Sequence, residues 1–472
     1  MLLGAATLTV PLAVALLAGE PGPARALAIS LALGLALGGA LVASGRRGGV
    51  SFRQEALAVV ALAWVVLPMV GALPYVLSGA IPGVIDAVFE SVSGFTTTGA
   101  SVVADVESWP RSLLLWRALT QWIGGLGIVV VFVALFPAVG AVGRRLFRLE
   151  VTGIEREAHR PRVRDAALAL LKVYLAFTVA CFVLLLAGGL SPFDAASHTL
   201  TTLATGGFST RNASVGAFGS PFAEVVLLVF MLLAGINFGL YDALLSTGMR
   251  KGWRSFWRDR ELRLYLAVAA IAFAIVAASL FLEGGKDVPA TLRESAFTVV
   301  SVQTTTGFAD ADFDRWPSAA RLVLLALMFV GGAAGSTGGG PKVIRLLVLL
   351  RGAKVALRRF VQPRAVVPAT LGAAPLAESV IAAVGIFFFL WVTIVGVGAI
   401  ALGLLGLDLL SALSASASCL ANVGPGFGAV GPMANYAAVP AAGKVLLSVW
   451  MLLGRLEILA LLAPLRSWFW RG

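Results

Sequence analysis

Charged residues are scarce in this sequence: they make up 13% of its 472 residues, whereas hydrophobic residues make up 59%. In a typical soluble domain about a quarter of the residues are charged. So few polar side chains cannot cover a 48.8 kDa chain in water, which excludes a soluble enzyme, a disordered scaffold and a secreted disulfide protein. The mean hydropathy of +0.94 predicts a polytopic membrane protein in contact with membrane lipid.

Cysteine and histidine are nearly absent as well, with two residues of each type. Cys181 and Cys419 lie in apolar or small-residue runs, and they form neither a metal-binding spacing nor a disulfide framework. His159 lies in a basic loop, where we expect it to be solvated. His198 lies in a short apolar segment, which favours a buried, hydrogen-bonded imidazole over a pH sensor.

Basic residues are in excess, with 36 Lys and Arg against 24 Asp and Glu and a net charge of +12. Such an excess can indicate nucleic-acid binding, but these residues are not gathered in a soluble domain, so we expect no nucleic-acid partner. In a membrane protein they belong in cytoplasmic loops. With the N-terminus in the cytoplasm, the predicted inner loops hold 26 of the 36, and both termini are then cytoplasmic.

Ten segments come close to the roughly 20 apolar residues that a membrane span needs. The first lacks the basic start of a signal peptide, so we expect a membrane segment. The predicted spans are 2–18, 24–44, 55–78, 111–138, 166–189, 221–248, 263–282, 318–352, 376–405 and 440–468. Four moderately apolar segments are too short to span and suit re-entrant helices on the outer side: 83–98, 193–205, 290–306 and 408–423.

Each short segment ends at a glycine in a polar stretch, and these glycines are Gly99, Gly206, Gly307 and Gly424. Their near-regular spacing predicts four repeats of membrane helix, re-entrant helix, polar loop and membrane helix, and hence an all-α polytopic membrane protein. The predicted boundaries are 1–44 for an N-terminal two-helix extension, then 45–145, 146–249, 250–360 and 361–472 for four pore repeats. The alternative is four helix-ending turns with glycine at the C-cap.

Four short helices that enter from one side can meet at an axis. Their C-terminal ends then aim the negative ends of their dipoles inward, which favours a cation. Glycine permits backbone angles that point carbonyl oxygens at the axis, and carbonyl rings replace the hydration shell of an ion in potassium filters. The predicted filter comprises Thr97, Thr98, Gly99, Ala204, Thr205, Gly206, Thr305, Thr306, Gly307, Asn422, Val423 and Gly424.

Several motifs extend beyond the filter: Phe89–Ala100, Trp116–Arg117 with Gln121–Ile128, Ala204–Ser209, Gly235–Phe238, Thr304–Phe308, Gly331–Gly339 with Lys342, and Gly454–Glu457. Through them the sequence resembles the Trk/Ktr/HKT superfamily of potassium transporters, and within it the bacterial TrkH branch, from about residue 55 to 460. The resemblance implies K+ as the transported ion with no bound organic cofactor. It also implies a homodimer in the cytoplasmic (inner) membrane and a cytoplasmic, nucleotide-binding regulatory ring of the TrkA type.

A glycine-rich segment, 331–340, interrupts the over-long predicted span 318–352. The resemblance implies an intramembrane gating loop below the filter, whereas the alternative is close helix packing through small residues. A phosphate-loop interpretation fails because Pro341 separates Gly340 from Lys342 and no Ser or Thr follows the lysine. The predicted gating residues are Gly331, Gly332, Gly335, Ser336, Thr337, Gly338, Gly339, Lys342 and Arg455.

Arg455 is the one basic residue that falls inside a predicted span. A charge at membrane depth costs at least a few kcal/mol, and such residues usually face the protein interior or a cavity. The resemblance implies a fixed positive charge beside the conduction path. The alternative is an ion pair with Glu457, although residues two apart on a helix do not face each other.

Two other functions compete with a potassium-conducting uptake subunit. A symporter that couples K+ to H+ or Na+ would need an ion-binding site of alternating access, yet no carboxylate pair lies in the predicted spans. A membrane protease is suggested by Ser336 in its glycine-rich surroundings, but no histidine lies in a span to activate that serine. We therefore expect a transport protein without enzymatic activity.

Overall fold

The computed structural model describes residues 2–45, 53–135, 163–246, 249–283, 287–364, 368–371 and 374–458. The predicted basic loop around His159 and the predicted inner tail from residue 465 lie outside these ranges. Helices dominate the described chain, which confirms the helical fold predicted from the sequence. One short antiparallel strand pair, β1 (Thr370–Leu371) with β2 (Ala374–Pro375), is the exception.

Four short helices occur where the sequence predicts re-entrant segments, and we call them re-entrant helices 1 to 4. They span Val84–Phe95, Pro192–Leu203, Val288–Gln303 and Leu409–Ala421. Each follows a leading helix: Arg53–Gly71 (continued by Leu73–Leu77), Val163–Ala187, Arg260–Glu283 and Glu378–Leu404. Each precedes a trailing helix: Arg111–Leu135, Pro221–Ala234, Ser318–Leu327 and Ala441–Arg455. We call these four helix triplets units 1 to 4.

The remaining helices lie outside these triplets. The first predicted span is split into two short helices, Leu2–Ala6 and Thr9–Leu17, which pack against Pro21–Gly45. Three α-helices follow trailing helices, namely Phe238–Ser246, Met249–Arg258 and Val343–Val361. Short 3-10 turns occupy Ser214–Phe218, Phe313–Arg315 and Gly428–Val430 in the polar loops.

The trailing helices of units 2, 3 and 4 are interrupted, whereas that of unit 1 runs from Arg111 to Leu135. In unit 2 the chain bends by 85° between Ala234 and Phe238. In unit 3 the break extends from residue 328 to 342, as the glycine-rich segment predicts. In unit 4 the helix ends at Arg455, so the prediction of one continuous span over 440–468 is wrong at this point.

Local sequence explains how the re-entrant helices begin. Ser191 and Asp408 cap helices 2 and 4, since the Ser191 hydroxyl accepts a hydrogen bond from Asp194 N and the Asp408 carboxylate accepts from Leu410 N and Ser411 N. Such caps satisfy backbone N–H groups that a helix start leaves without partners. Helices 2 and 3 also carry proline in the first turn, where no N–H is needed.

The distribution of polarity is the reverse of that in a soluble protein. Five described helices are long and apolar enough to cross a membrane, and there are six if the bent pair of unit 2 counts as one span. Large apolar side chains on them face outward, such as Leu282 and Leu404 at 88% and 85% exposure. Glu90, Arg117 and His198 are instead buried at the centre. This arrangement fits a multi-pass protein whose outer surface is solvated by lipid.

Candidate functional site

The same backbone turn follows each re-entrant helix. One residue adopts a left-handed conformation with φ between 53° and 60°, and a glycine with positive φ follows two positions later. The residue between them donates its N–H to a carbonyl oxygen five positions back, at 2.8–2.9 Å. The four turns are Thr97-Thr98-Gly99, Thr205-Gly206-Gly207, Thr305-Thr306-Gly307 and Asn422-Val423-Gly424.

This backbone corrects the predicted register of unit 2 by one residue. Thr205 has the left-handed φ of 53° that Thr97 has in unit 1, and Gly206 N bonds Thr201 O as Thr98 N bonds Ser93 O. Gly207, with φ 76°, is therefore the equivalent of Gly99. The prediction that aligned Gly206 with Gly99 is wrong, and Ala204 lies one position before the turn.

The four turns meet in a closed ring. A Cβ on Gly99 would overlap the carbonyl oxygen of Gly206, and one on Gly207 would overlap that of Thr306. A Cβ on Gly307 would overlap Val423 O, and one on Gly424 would lie 2.5 Å from Thr98 O. Each glycine thus abuts the carbonyl of the next unit, and the order 1-2-3-4 returns to unit 1. Only glycine leaves room for this contact, since any other residue carries a Cβ.

An open cavity of about 160 Å3 lies on one side of the ring. Its lining includes Gly99, Gly207, Gly307 and Gly424, together with Arg117. The helix C-termini lie on the other side of the same ring. Backbone carbonyls between helix dipoles and a polar cavity can coordinate a cation that has lost part of its water.

Gln121 belongs to the site but is not among the residues that the sequence predicts for the filter or the gate. Its side chain, on the trailing helix of unit 1, donates from Nε2 to Gly206 O at 2.5 Å and accepts at Oε1 from Phe208 N at 3.1 Å. The side chain therefore holds the unit 2 turn at two backbone atoms. The motif beginning at Gln121 belongs to the resemblance, but nothing local to it names a partner 85 residues away.

The predicted gating loop lies against the ring on the side of the helix C-termini. Gly339 N donates to Thr305 Oγ1 at 2.6 Å. A Cβ on Gly339 would lie 2.5 Å from Ala421 O and 2.8 Å from Asn422 Cβ. The loop thus contacts the turns of units 3 and 4 directly, and it faces the ring from the side opposite the cavity.

The loop is closed on itself and tied to the break in unit 2. Gly331 and Gly340, both with positive φ, approach so closely that a Cβ on Gly331 would lie 3.1 Å from Gly340 Cα. Ala333 N donates to Gly235 O at 2.9 Å, and Phe238 N donates to Gly335 O at 3.1 Å. The two helix breaks therefore provide hydrogen-bond partners for each other's backbone N–H and C=O groups. Broken helices in a lipid environment require such partners.

The remaining predicted loop residues have specific bonds. Ser336 Oγ donates to Ala333 O at 2.5 Å, so its hydroxyl serves the loop backbone. Lys342 Nζ donates to Gly338 O. Thr337 Oγ1 donates to Ala234 O at 3.2 Å. The predicted residues from Gly331 to Lys342 thus form one compact structure, in which Gly332 O accepts from Val343 N at 3.0 Å.

Glu261 anchors the loop to the leading helix of unit 3 and was not predicted. Its buried Oε1 accepts from Ala334 N at 2.7 Å and from Ile344 N at 3.1 Å. Ala334 lies within the loop and Ile344 lies just after it, and one carboxylate oxygen holds the two N–H groups together. Glu261 lies at the start of the leading helix of unit 3, where its sequence position resembles an ordinary acidic first turn.

Arg455 lies on the same side of the ring as the loop. Its side chain donates hydrogen bonds to the loop and does not pair with Glu457. Its Nη1 donates to Thr337 O at 2.8 Å and its Nη2 to Gly124 O at 3.2 Å. Glu457 pairs with Arg345, with Nη2 and Oε2 2.5 Å apart, so the alternative of an Arg455–Glu457 ion pair is wrong. Arg455 is 3% exposed, and its Nε has no hydrogen-bond partner among the described residues.

His198 has partners on both sides, which confirms the prediction of a buried, bonded imidazole. Its Nδ1 lies 2.8 Å from Asp194 O, and its Nε2 lies 2.9 Å from Ser209 Oγ. A carbonyl oxygen only accepts, so Nδ1 carries a hydrogen. The ring is fully buried.

Known proteins resemble the whole chain. A family model described as a cation transport protein, TrkH, matches residues 25–466. The Trk system potassium uptake protein TrkH of Salmonella typhimurium is 38% identical, over 100% of this chain and 97% of that protein. Its Escherichia coli K12 counterpart is 37% identical over the same shares. The crystal structure of the potassium transporter TrkH from Vibrio parahaemolyticus superposes with a TM-score of 0.90 at 35% identity, covering 100% of this chain and 97% of that one.

The corrected register of unit 2 predicts different results for two neighbouring glycines. In Gly207→Ala, the new Cβ overlaps Thr306 O and the left-handed φ adds roughly 1–2 kcal/mol of strain. We expect this variant to lose cation discrimination. In Gly206→Ala, the Cβ meets the end of the Gln121 side chain and not the backbone of the next unit, so the cost is the displacement of Gln121 from its two bonds to the turn, and we expect a smaller loss of discrimination. Permeability ratios of the purified proteins measure both effects, and greater damage from Gly206→Ala would restore the register read from the sequence.

Proposed function

Because the chain belongs to the TrkH family of cation transport proteins, we propose that it carries potassium ions into the cell through the ring of four turns. The observation that supports this most is the closed contact of four backbone turns, each with a glycine against the carbonyl of the next. Such a ring offers carbonyl oxygens and no side-chain charge, which suits a monovalent cation. The filter then comprises the turns at Thr97–Gly99, Thr205–Gly207, Thr305–Gly307 and Asn422–Gly424.

Potassium is favoured over sodium because glycine stands at the ring position of all four units. A closely packed backbone holds the carbonyls at a spacing that a side chain at any of these positions would disturb. Inward movement of one charge gains about 2.3 kcal/mol per 100 mV of membrane potential. In this proposal the potential drives uptake and the chain acts as a conducting subunit; a symporter that couples K+ to H+ or Na+ is the alternative.

The loop 331–340 acts as the gate in this proposal, together with Lys342 and Arg455. It occupies the side of the ring opposite the cavity, and Arg455 fixes it through Thr337. Its displacement would also free Thr305 Oγ1, which now accepts from Gly339 N. A cytoplasmic nucleotide-binding ring of the TrkA type would provide the free energy that displaces the loop. Two copies of the chain, with both termini inside, would form the transporter in the bacterial inner membrane.

Currents through purified protein in planar bilayers test the function. With K+ on one side and Na+ on the other, we expect a reversal potential that indicates potassium preference. The same recording repeated at different pH separates a channel from a proton symporter, because only a symporter's reversal potential moves with the proton gradient. An absence of cation current from folded protein, with or without the regulatory ring, would contradict the proposal.

Arg455→Ala should raise potassium flux. The variant removes a positive charge from beneath the ring and the bond that fixes Thr337 O. A lost charged hydrogen bond of about 1.5 kcal/mol corresponds to roughly a tenfold change in the population of the open loop. Arg359→Ala is the matched control, because Arg359 is an exposed cation that pairs with Glu378 and belongs to neither the loop nor the ring. Flux equal to or below that of the parent in folded Arg455→Ala protein would remove this role.

Glu261→Ala should raise basal flux and lower stability together. It leaves two buried N–H groups, Ala334 N and Ile344 N, without their acceptor, at about 1–3 kcal/mol each. Glu261→Gln keeps an acceptor oxygen and should fall between parent and Ala. Potassium uptake by proteoliposomes and thermal unfolding in detergent measure the two effects. If Glu261→Ala destabilises the fold but leaves basal flux at the parental level, the loop is not the gate.

A further inference from the structure

The few extended residues that follow each filter glycine, which we call the outgoing strand of that unit, are held in a different way in each of the four units. Seven residues before the left-handed residue of each turn, the re-entrant helix places a different side chain. These are Glu90, His198, Thr298 and Ala415. A carboxylate, an imidazole, a hydroxyl and a methyl group thus occupy equivalent places in a ring whose backbone repeats closely.

Unit 1 uses its carboxylate. Glu90 is fully buried, and its Oε1 accepts from Ser101 Oγ at 3.0 Å while its Oε2 accepts from Val102 N at 2.9 Å. Ser101 is the second residue after the filter glycine. Arg117 Nε donates to the same carboxylate at 2.8 Å, so the strand, the re-entrant helix and the trailing helix meet at one group.

Unit 2 uses its histidine at the matching place. His198 Nε2 lies 2.9 Å from the hydroxyl of Ser209, which is again the second residue after the filter glycine. The imidazole also stacks on Phe308 of unit 3, with ring centroids 5.7 Å apart and planes inclined by 28°. The contact of helix and strand is retained, although its chemistry differs from that of Glu90 and Ser101.

Arg117 joins the two strands. Its Nη2 donates to Ser101 Oγ at 3.1 Å in unit 1, and its Nη1 donates to Ser209 O at 3.3 Å in unit 2. The guanidinium carbon lies 4.0 Å from the centroid of the Phe208 ring. The side chain is 3% exposed, and Glu90 balances its charge. One rigid group therefore fixes the spacing of two neighbouring filter strands.

Units 3 and 4 hold the segment after the filter glycine through other bonds, some of them between units. Ala309 O accepts from Val215 N of unit 2 at 3.0 Å, and Gly428 N donates to Asp314 Oδ1 of unit 3 at 3.1 Å.

In these two units the side chains equivalent to Glu90 and His198 make fewer polar contacts. Thr298 Oγ1 donates to Asp310 Oδ1 at 3.1 Å, a single bond within unit 3. In unit 4 the methyl group of Ala415 makes no polar contact, and Ser414 Oγ accepts from Phe427 N at 2.9 Å. Both contacts stay inside their own unit.

The trailing helix of unit 4 carries no counterpart of Arg117. Gly124 and Gly454 are equivalent. A Cβ on Gly124 would overlap Phe95 O and one on Gly454 would overlap Leu420 O, and each of these carbonyls lies two residues before the left-handed residue of its turn. Counted back from them, the place of Arg117 is taken in unit 4 by Leu447, a buried apolar residue. The bridging cation of unit 1 therefore has no counterpart in unit 4.

We propose that Arg117, fixed by Glu90, determines ion preference as a positioning residue. It holds the outgoing strands of units 1 and 2 at the spacing that the carbonyl ring needs. This inference rests on the proposed function and names the residues that set its selectivity. Arg117 contacts no carbonyl of the ring itself, so its effect passes through Ser101, Phe208 and Ser209. Its planar group, with five donors, can engage several partners at fixed angles, which a lysine cannot do.

Arg117→Lys is the direct test. It keeps a positive charge beside Glu90, but it loses the Nη1 bond to Ser209 O, the Nη2 bond to Ser101 Oγ and the planar contact with the Phe208 ring. We expect the K+ over Na+ permeability ratio in bi-ionic bilayer recordings to fall roughly fivefold, while current persists. Phe208→Leu, which removes the aromatic partner without touching a charge, should lower the ratio in the same direction.

Lys444→Arg is the matched control. Lys444 pairs with Asp86 at 2.7 Å, one turn before Glu90 on the same re-entrant helix, so this swap also preserves an ion pair on that helix. Its permeability ratio should equal that of the parent. A selective parent whose ratio is retained in folded Arg117→Lys and Phe208→Leu would overturn this inference alone, even if both variants unfold at lower temperature. A parent without potassium preference would overturn the proposed function and this inference together.

Discussion

The absence of space for a Cβ atom where the four turns meet is the constraint on which the rest of the structure depends. Each filter glycine touches a carbonyl of the next unit, so all four re-entrant helices must end at the same depth and point at one axis. The leading and trailing helices hold these ends in place, and the caps at Ser191 and Asp408 fix where two of them begin. A displacement of one helix would open the ring at two contacts.

Polar groups buried around this ring obtain partners from distant parts of the chain, since lipid on the outside offers none. Glu261 serves the gating loop, Gln121 serves the turn of unit 2, and Arg345 neutralises Glu457. Arg455, beneath the ring, donates to two backbone carbonyls and not to a carboxylate among the described residues. Such long-range bonds therefore hold together elements that lie far apart along the chain.

Much of the fold was predictable, because helix length and apolar composition are local properties. The re-entrant helices and the break near Gly331 follow from such patterns. The register of unit 2 was not predictable, since two adjacent glycines follow Thr205 and only the contact with Thr306 O distinguishes them. The partners of Glu457 and Glu261 lie 112 and 73 residues away, and no local pattern encodes such distances. The bend after Ala234 was missed for the same reason: its free carbonyls are satisfied by the loop of unit 3.

Because one chain supplies all four quarters of the ring, each quarter is encoded by a different stretch of the gene. In a channel of four identical subunits, a mutation of a filter glycine strikes every position at once. Here a change at Gly99, Gly207, Gly307 or Gly424 alters one quarter and leaves three intact. Such a filter can therefore be altered one quarter at a time, and the four different side chains behind the turns, Glu90, His198, Thr298 and Ala415, show that its quarters need not be alike.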